Sequence, residues 1–225
     1  MARSRPEKPI NANRPVLYVL AGVNGAGKSS IGGYLLTQAG LAWYNPDDFA
    51  RALVSDYKAV QEQANIEAWQ EGVCRLRQAM AKRGSFAFET TLGGQSITQY
   101  LLQACKTHDV MIWYCGLRDP QLHLDRIRLC VRNGGHDIPQ AKVHQRWTSS
   151  LGNLIVLMPS LAHLRVYDNS TQYEIGQAIG EPKLLLEMCA AKRLYPTRLA
   201  NAVDTPDWVK PVLEAAFELD PEAPQ

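Results

Sequence analysis

The octapeptide Gly22-Val23-Asn24-Gly25-Ala26-Gly27-Lys28-Ser29 has the spacing G-x-x-x-x-G-K-S. That spacing suits one task, the holding of a polyphosphate. Glycines let the backbone curl until several N–H groups aim at a single anion. A helix that starts at the lysine adds the partial positive charge of its N-terminus. Lys28 can then reach the β- and γ-phosphates, and the Ser29 hydroxyl can ligate Mg²⁺. The candidate nucleotide-binding set is Gly22, Asn24, Gly25, Ala26, Gly27, Lys28, Ser29 and Ser30, with Ser29 as the metal ligand. ATP and Mg²⁺ are the implied cofactors.

Phosphoryl transfer also needs a group that takes the acceptor's proton. The segment Trp43-Tyr44-Asn45-Pro46-Asp47-Asp48-Phe49 offers two carboxylates. Asp47 is the candidate base, and Asp48 is read as structural; an N-cap for the following helix is the competing role for either. Farther on, Phe86-Ala87-Phe88-Glu89-Thr90-Thr91 ends an apolar run with a carboxylate and hydroxyls. Glu89 and Thr91 are candidate substrate contacts. No apolar run ending in Asp is visible elsewhere, so Glu89 is also placed to serve on the magnesium side.

Arg126, Arg128, Arg132 and Arg146 flank the loop Gly134-Gly135-His136. Glycine hinges beside arginines suit a lid, around 126–146, that closes over phosphates and supplies charge to the transition state. Arg126 and Arg132 are the candidate catalytic arginines. They lie six residues apart, off a common helix face. A solvated basic surface is the plain reading of the same residues.

These groups need elements to position them. Pro15 to Ala21 is a continuous apolar run, as in a strand buried on both faces. The pattern predicts a helix over 28–38 and a strand over 41–45. A helical stretch follows over 47–82, broken near Asp56. Strands are expected at 85–88, 110–117 and 164–167, and helices at 95–107, 120–131 and 139–157. Two weaker helical patterns lie near Leu184 and Trp208. Strands alternating with helices imply right-handed βαβ units and a parallel sheet between helices. The expectation is a three-layer α/β/α P-loop NTPase core with a parallel five-stranded sheet. One domain over 15–225 would follow a flexible tail over 1–14. Gly32 and Gly33, inside the first helix, read as close-packing positions. The Tyr167-Asp168-Asn169-Ser170 segment reads as an Asx turn or as a neighbour of the nucleotide base.

Composition narrows the class. The chain has 225 residues, 46% hydrophobic and 20% charged, with a formal net charge of +2. That is ordinary globular composition, and so small an excess of cations weighs against nucleic acid as a partner. No apolar run approaches the ~18 residues of a membrane span. Cys74, Cys105, Cys115, Cys130 and Cys189 form no C-x-x-C pair, which fits reduced, mostly buried thiols in a cytoplasmic protein.

Taken in this order, the P-loop, the Asn45-to-Ala50 segment, the Phe86-to-Gly94 segment and the Arg132-to-Pro139 segment resemble the zeta toxin family of P-loop kinases. The resemblance covers about 15–170 and points to a shorter branch with a Gly-Gly-His-Asp-Ile-Pro lid. It implies a kinase-like α/β/α core and transfer of phosphate from ATP to UDP-N-acetylglucosamine. It also implies a small helical antitoxin as partner. By position it implies Lys28 and Ser29 for ATP and magnesium, Asp47 as base, Glu89 and Thr91 as substrate contacts, and Arg126 as a lid arginine, with Arg132, His136 and Arg146 all open for the family's second lid arginine. The acceptor segment reads Glu89-Thr90-Thr91 where the family's studied members read Glu-Gly-Thr.

The functional expectation is therefore an ATP-dependent phosphotransferase acting on a hydroxyl of a small molecule, of the nucleotide-sugar type. A nucleic-acid end kinase would use the same parts with a basic groove. A non-catalytic ATP-dependent switch would leave Asp47, Glu89 and the arginines without work.

Overall fold

The computed structural model describes residues 13–29, 32, 36, 41–132, 135, 137–171, 181–198, 202 and 204–221. A mixed sheet runs through it in the order β2-β1-β3-β4-β5-β6. The strands are β1 (Val16–Ala21), β2 (Phe86–Thr90), β3 (Asp109–Gly116), β4 (His163–Asp168), β5 (Lys183–Cys189) and β6 (Lys192–Tyr195). The first four are parallel, and β5 and β6 add an antiparallel hairpin to the β4 edge. Helices α1 (Pro46–Tyr57), α2 (Gln61–Lys82), α3 (Gln95–Ala104), α4 (Pro120–Arg132), α5 (Gln140–Leu157) and α6 (Lys210–Leu219) fill the connections.

Alternation along β1 shows why helices cover both faces. Leu17, Val19 and Ala21 join a cluster with Leu76 of α2, Leu101 of α3, Leu154 of α5 and Val212 of α6. Tyr18 and Leu20 turn the other way, onto Leu36 and Trp113. Successive strand side chains point to opposite faces, so both sides of this apolar strand need a cover. All eight residues of β3, the central strand, are buried.

The α/β/α core is as expected, and the sheet differs in two places. The strand expected over 41–45 is a single bridge, Tyr44 to Phe88. Pro46 brings no N–H to extend a ladder, and Asn45 caps α1 instead. The helical pattern near Leu184 is strand β5 and belongs to a hairpin, so the sheet has six strands and not all are parallel. Leu, Glu and Met favour helix locally, but the β4 edge offers unpaired backbone groups, and tertiary pairing wins.

The helical pattern over 47–82 divides at Lys58, which takes a left-handed conformation (φ 58°). The expected first helix is helical at Lys28, Ser29, Gly32 and Leu36; the rest of 28–38, and Gly33, lie outside the described residues. Gly32 packs as expected, since a Cβ there would sit 2.1 Å from the Leu20 side chain. The expected tail over 1–14 lies outside the described residues up to residue 12; its last residue, Arg14, bonds Asp109 Oδ1 at 2.8 Å. All five cysteines are free thiols, though Cys74 and Cys130 are exposed rather than buried. No helix among the described residues is long and apolar enough to cross a membrane.

Candidate active site

The parallel register brings the C-terminal ends of four strands level: Ala21 pairs with Thr90 and Tyr114, and Gly116 with Asp168. The loops after them share one edge, where open α/β sheets bind ligands. Gly22 makes the first turn at φ 135°, and a Cβ there would lie 2.1 Å from the Cys115 carbonyl oxygen. Only glycine fits so close to β3 in that conformation.

Lys28 and Glu89 are buried and paired, with Nζ 3.2 Å from Oε1. Lys28 Nζ also donates to the Val23 carbonyl at 3.3 Å. The second oxygen of Glu89 accepts from Ser29 Oγ at 2.9 Å. Asn45 Nδ2 reaches Ser29 Oγ and Glu89 Oε2, each at 3.5 Å. Glu89 is thus inside strand β2, and its carboxylate closes a cluster with both P-loop side chains.

Asn45 has a second task. Its Oδ1 accepts from the backbone N–H of Asp47 at 2.8 Å and of Asp48 at 3.4 Å, so it caps α1. Pro46 fits the first helical position because no N–H is needed there. Asp47 is released from capping and sits half-buried in the first turn, while Asp48 pairs with Arg51 on the exposed side at 2.8 Å.

A cavity of about 230 Å³ opens beside this cluster, lined by Lys28, Asp47, Glu89, Thr91, Asn24 and Arg146. Tyr44, Ala68, Trp69 and Val73 form an apolar wall from α2 and its neighbour. Trp69 is half-exposed at 51%. Arg146 Nη1 donates to Asn24 Oδ1 at 2.7 Å. Burial lowers the Arg146 pKa, and the Asp47 carboxylate pulls it back up; a guanidinium stays charged even so.

The structure separates the candidate arginines. Arg126 lies on the other flank of the P-loop, where Nη2 donates to the carbonyls of Asn169 at 2.8 Å and Thr171 at 3.2 Å. Arg128 pairs with Asp125 at 3.1 Å in solvent. Arg132 is exposed at the end of α4. Arg146, left open in the sequence, is the one that lines the cavity. Ser30 and His136 lie outside the described residues.

Sequence reasoning missed the second role of Asn45, although an Asn-Pro pair before acidic residues is a helix-start signal. It also missed Trp69, which lies in the middle of the 22-residue α2 with nothing in its spacing to mark it.

No cluster of three or more His, Cys, Asp or Glu side chains that could hold a metal occurs among the described residues. Mg²⁺ does not need one. It keeps several waters and binds through one or two carboxylates plus substrate phosphates. A hydroxyl and a carboxylate 2.9 Å apart at the foot of a phosphate loop fit that requirement.

Fold and cradle together define a nucleotide-binding core of the P-loop kinase class. Residues 2–116 match the zeta toxin family, and the chain belongs to it. An uncharacterized protein of Haemophilus influenzae is 28% identical over 145 residues, 61% of this chain and 95% of that one. Among solved structures, the AvrRxo1-ORF1:AvrRxo1-ORF2 complex with sulphate ions is similar in fold, with a TM-score of 0.61 at 18% identity. The match covers 84% of this chain and 62% of that one, so this chain spans about three-fifths of its length. The same complex has been solved with ATP. The PezAT chromosomal toxin-antitoxin system of Streptococcus pneumoniae gives a TM-score of 0.50 at 15% identity, over 72% of this chain and 71% of that one.

Proposed function

We propose that this chain is an ATP- and Mg²⁺-dependent kinase that moves the γ-phosphoryl to a hydroxyl of a small molecule, of the nucleotide-sugar class represented by UDP-N-acetylglucosamine. The observation that carries the reading is the cavity. It joins the P-loop lysine, the carboxylates of Asp47 and Glu89 and the half-buried Arg146 in one space of about 230 Å³.

Lys28 leaves Glu89 to meet the β- and γ-phosphates. Ser29 and Glu89 would hold the magnesium, which would supply charge neutralisation when bound. Asp47 accepts the acceptor hydroxyl's proton from the opposite side. Arg146 stabilises charge on the transferred group. Thr91 and Trp69 contact the acceptor. Arg126 acts on the nucleotide side through the turn after β4, and Arg132 carries no step. In keeping with the toxin-antitoxin character of a fold relative, a small helical antitoxin is the proposed protein partner.

The test is mass spectrometry of a panel of UDP-sugars, nucleotides and single-stranded oligonucleotides incubated with ATP, Mg²⁺ and the protein. UDP-N-acetylglucosamine should gain one phosphate. Asp47→Asn should lose transfer by about two to four orders of magnitude and bind ATP as before. Full transfer by that variant removes Asp47 from the mechanism. Phosphate gained on an oligonucleotide end instead overturns the acceptor class.

A further inference from the structure

Two carbonyls of the phosphate loop are pinned from outside it. His123, on α4 and 1% exposed, sets Nδ1 2.8 Å from the carbonyl oxygen of Asn24. A carbonyl only accepts, so Nδ1 carries the proton and donates. That leaves Nε2 bare, and it is buried without a partner. Burial lowers the imidazole pKa to about 4, helped by Lys28 and Arg126 and opposed by the Asn24 carbonyl and Asp119. The ring is therefore neutral near pH 7, and the orphaned nitrogen is a standing penalty. An apolar side chain would fill the same space without it. Packing alone does not account for a histidine here.

Asn169, in the turn after β4, makes the matching contact. Its Nδ2 donates to the Ala26 carbonyl at 2.9 Å. Gly27 takes φ 83°, and a Cβ there would lie 2.5 Å from that same Nδ2. Asn169 is itself fixed, because its N–H donates to the Gly116 carbonyl at 3.0 Å and its carbonyl accepts from Arg126 at 2.8 Å.

Peptide planarity turns these contacts into function. In a trans peptide unit the C=O and the following N–H point in opposite directions. Drawing the carbonyls of Asn24 and Ala26 outward turns the N–H groups of Gly25 and Gly27 inward. We propose that His123 and Asn169 are positioning residues that lock these two peptide units with their N–H groups facing the nucleotide phosphates. The proposal rests on the nucleotide-binding reading above. In it, neither side chain touches the nucleotide; each acts through the loop backbone.

The experiment is calorimetric binding of Mg²⁺·ATP to the full chain, with the melting temperature of each variant measured alongside. His123→Leu keeps the volume and loses the donor. His123→Asn places an amide nitrogen near the site of Nδ1. Asn169→Asp sets a carboxylate oxygen against the Ala26 carbonyl. We expect His123→Leu and Asn169→Asp to raise the Kd for ATP about tenfold or more, and His123→Asn to restore it to within about threefold. A folded His123→Leu variant that binds like wild type overturns the proposal. So does a folded His123→Asn variant that binds no better than His123→Leu. Should His123→Leu not fold, wild-type affinity in Asn169→Asp overturns it as well. A wild-type chain that binds no ATP overturns the kinase reading and this inference together, whereas unequal binding by the two His123 variants supports this inference whatever the acceptor proves to be.

Discussion

Exchanging Glu89 for glutamine removes one charge and keeps the side chain's shape. That charge has three partners, Lys28 Nζ at 3.2 Å, Ser29 Oγ at 2.9 Å and Asn45 Nδ2 at 3.5 Å, and both charged groups of the Lys28–Glu89 pair are about 6% exposed. Breaking a buried pair by removing one member costs about 3–5 kcal/mol, because the survivor stays buried and uncompensated. Glutamine keeps a neutral acceptor for Lys28, which recovers about 1 kcal/mol. The expected loss is about 2–4 kcal/mol, or roughly 5–15 °C in Tm for a chain of this size.

The same substitution acts the other way on nucleotide binding. Lys28 no longer has to leave a carboxylate to reach phosphate, so metal-free ATP should bind at least as tightly as to wild type. ATP should then recover part of the lost Tm. With Glu89 on the magnesium side, as proposed, transfer should fall about 10–100-fold. Thermal melting with and without ATP, each with EDTA or Mg²⁺, separates these effects. An unchanged Tm in the nucleotide-free variant would refute the strength assigned to the pair. Full Mg²⁺-dependent transfer by the variant would remove Glu89 from the metal side.

Three further outcomes follow from the same geometry. Arg146→Lys keeps the charge but loses the fork that reaches Asn24 Oδ1 at 2.7 Å; steady-state kinetics should show kcat down about 10²–10³-fold with the KM for ATP nearly unchanged. Trp69→Ala should raise the KM for the acceptor about tenfold while that for ATP holds, since the ring stands on the cavity's apolar wall. His123 has a folded pKa of about 4, below its ordinary 6.5, so the unfolded chain binds the extra proton between those values. The stability from its neutral form is complete above pH 6.5 and is lost as pH falls towards 4, by on the order of 3 kcal/mol. Chemical denaturation across that range should show a steeper acid slope for wild type than for His123→Asn.

The legible parts of this site are those whose chemistry is contiguous in the chain. The P-loop is one run of residues, and Glu89 follows an apolar strand by position, so pattern alone could place both at the edge where parallel strands end. Asp47 is placed at that edge as the residue beyond a strand expected over 41–45, of which the structure keeps one bridge, Tyr44 to Phe88. The arginines could not be sorted, because their roles depend on which flank of the loop each helix passes. Arg126 and Arg146 lie on neighbouring helices and reach opposite sides of the same cradle. Trp69 lies on a helix whose buried residues are Ala64, Ala68 and Leu76, so its place in a cavity wall had no local signal. The β5–β6 hairpin was illegible for a related reason: its residues prefer helix, and only the free edge of β4 makes them a strand.

Helix α5 explains how donor and acceptor sides can be held in register. From one face it sends Arg146 to the P-loop residue Asn24. One turn on, Ser149 Oγ donates to the Gly93 carbonyl at 2.9 Å, Ser150 Oγ to that of Thr91 at 2.8 Å, and Asn153 Nδ2 to that of Leu92 at 2.8 Å. Three successive carbonyls after β2 are thereby tied to the helix that carries the cavity's arginine. Leu92 needs that support, because it is fully buried with φ 54°, a conformation that a non-glycine residue rarely adopts. Thr91, Arg146 and Asn24 of the cradle are therefore tied to one helix. Phosphoryl transfer depends on holding two reactants within a few tenths of an ångström, and a shared support is a more direct route to that precision than separate loops.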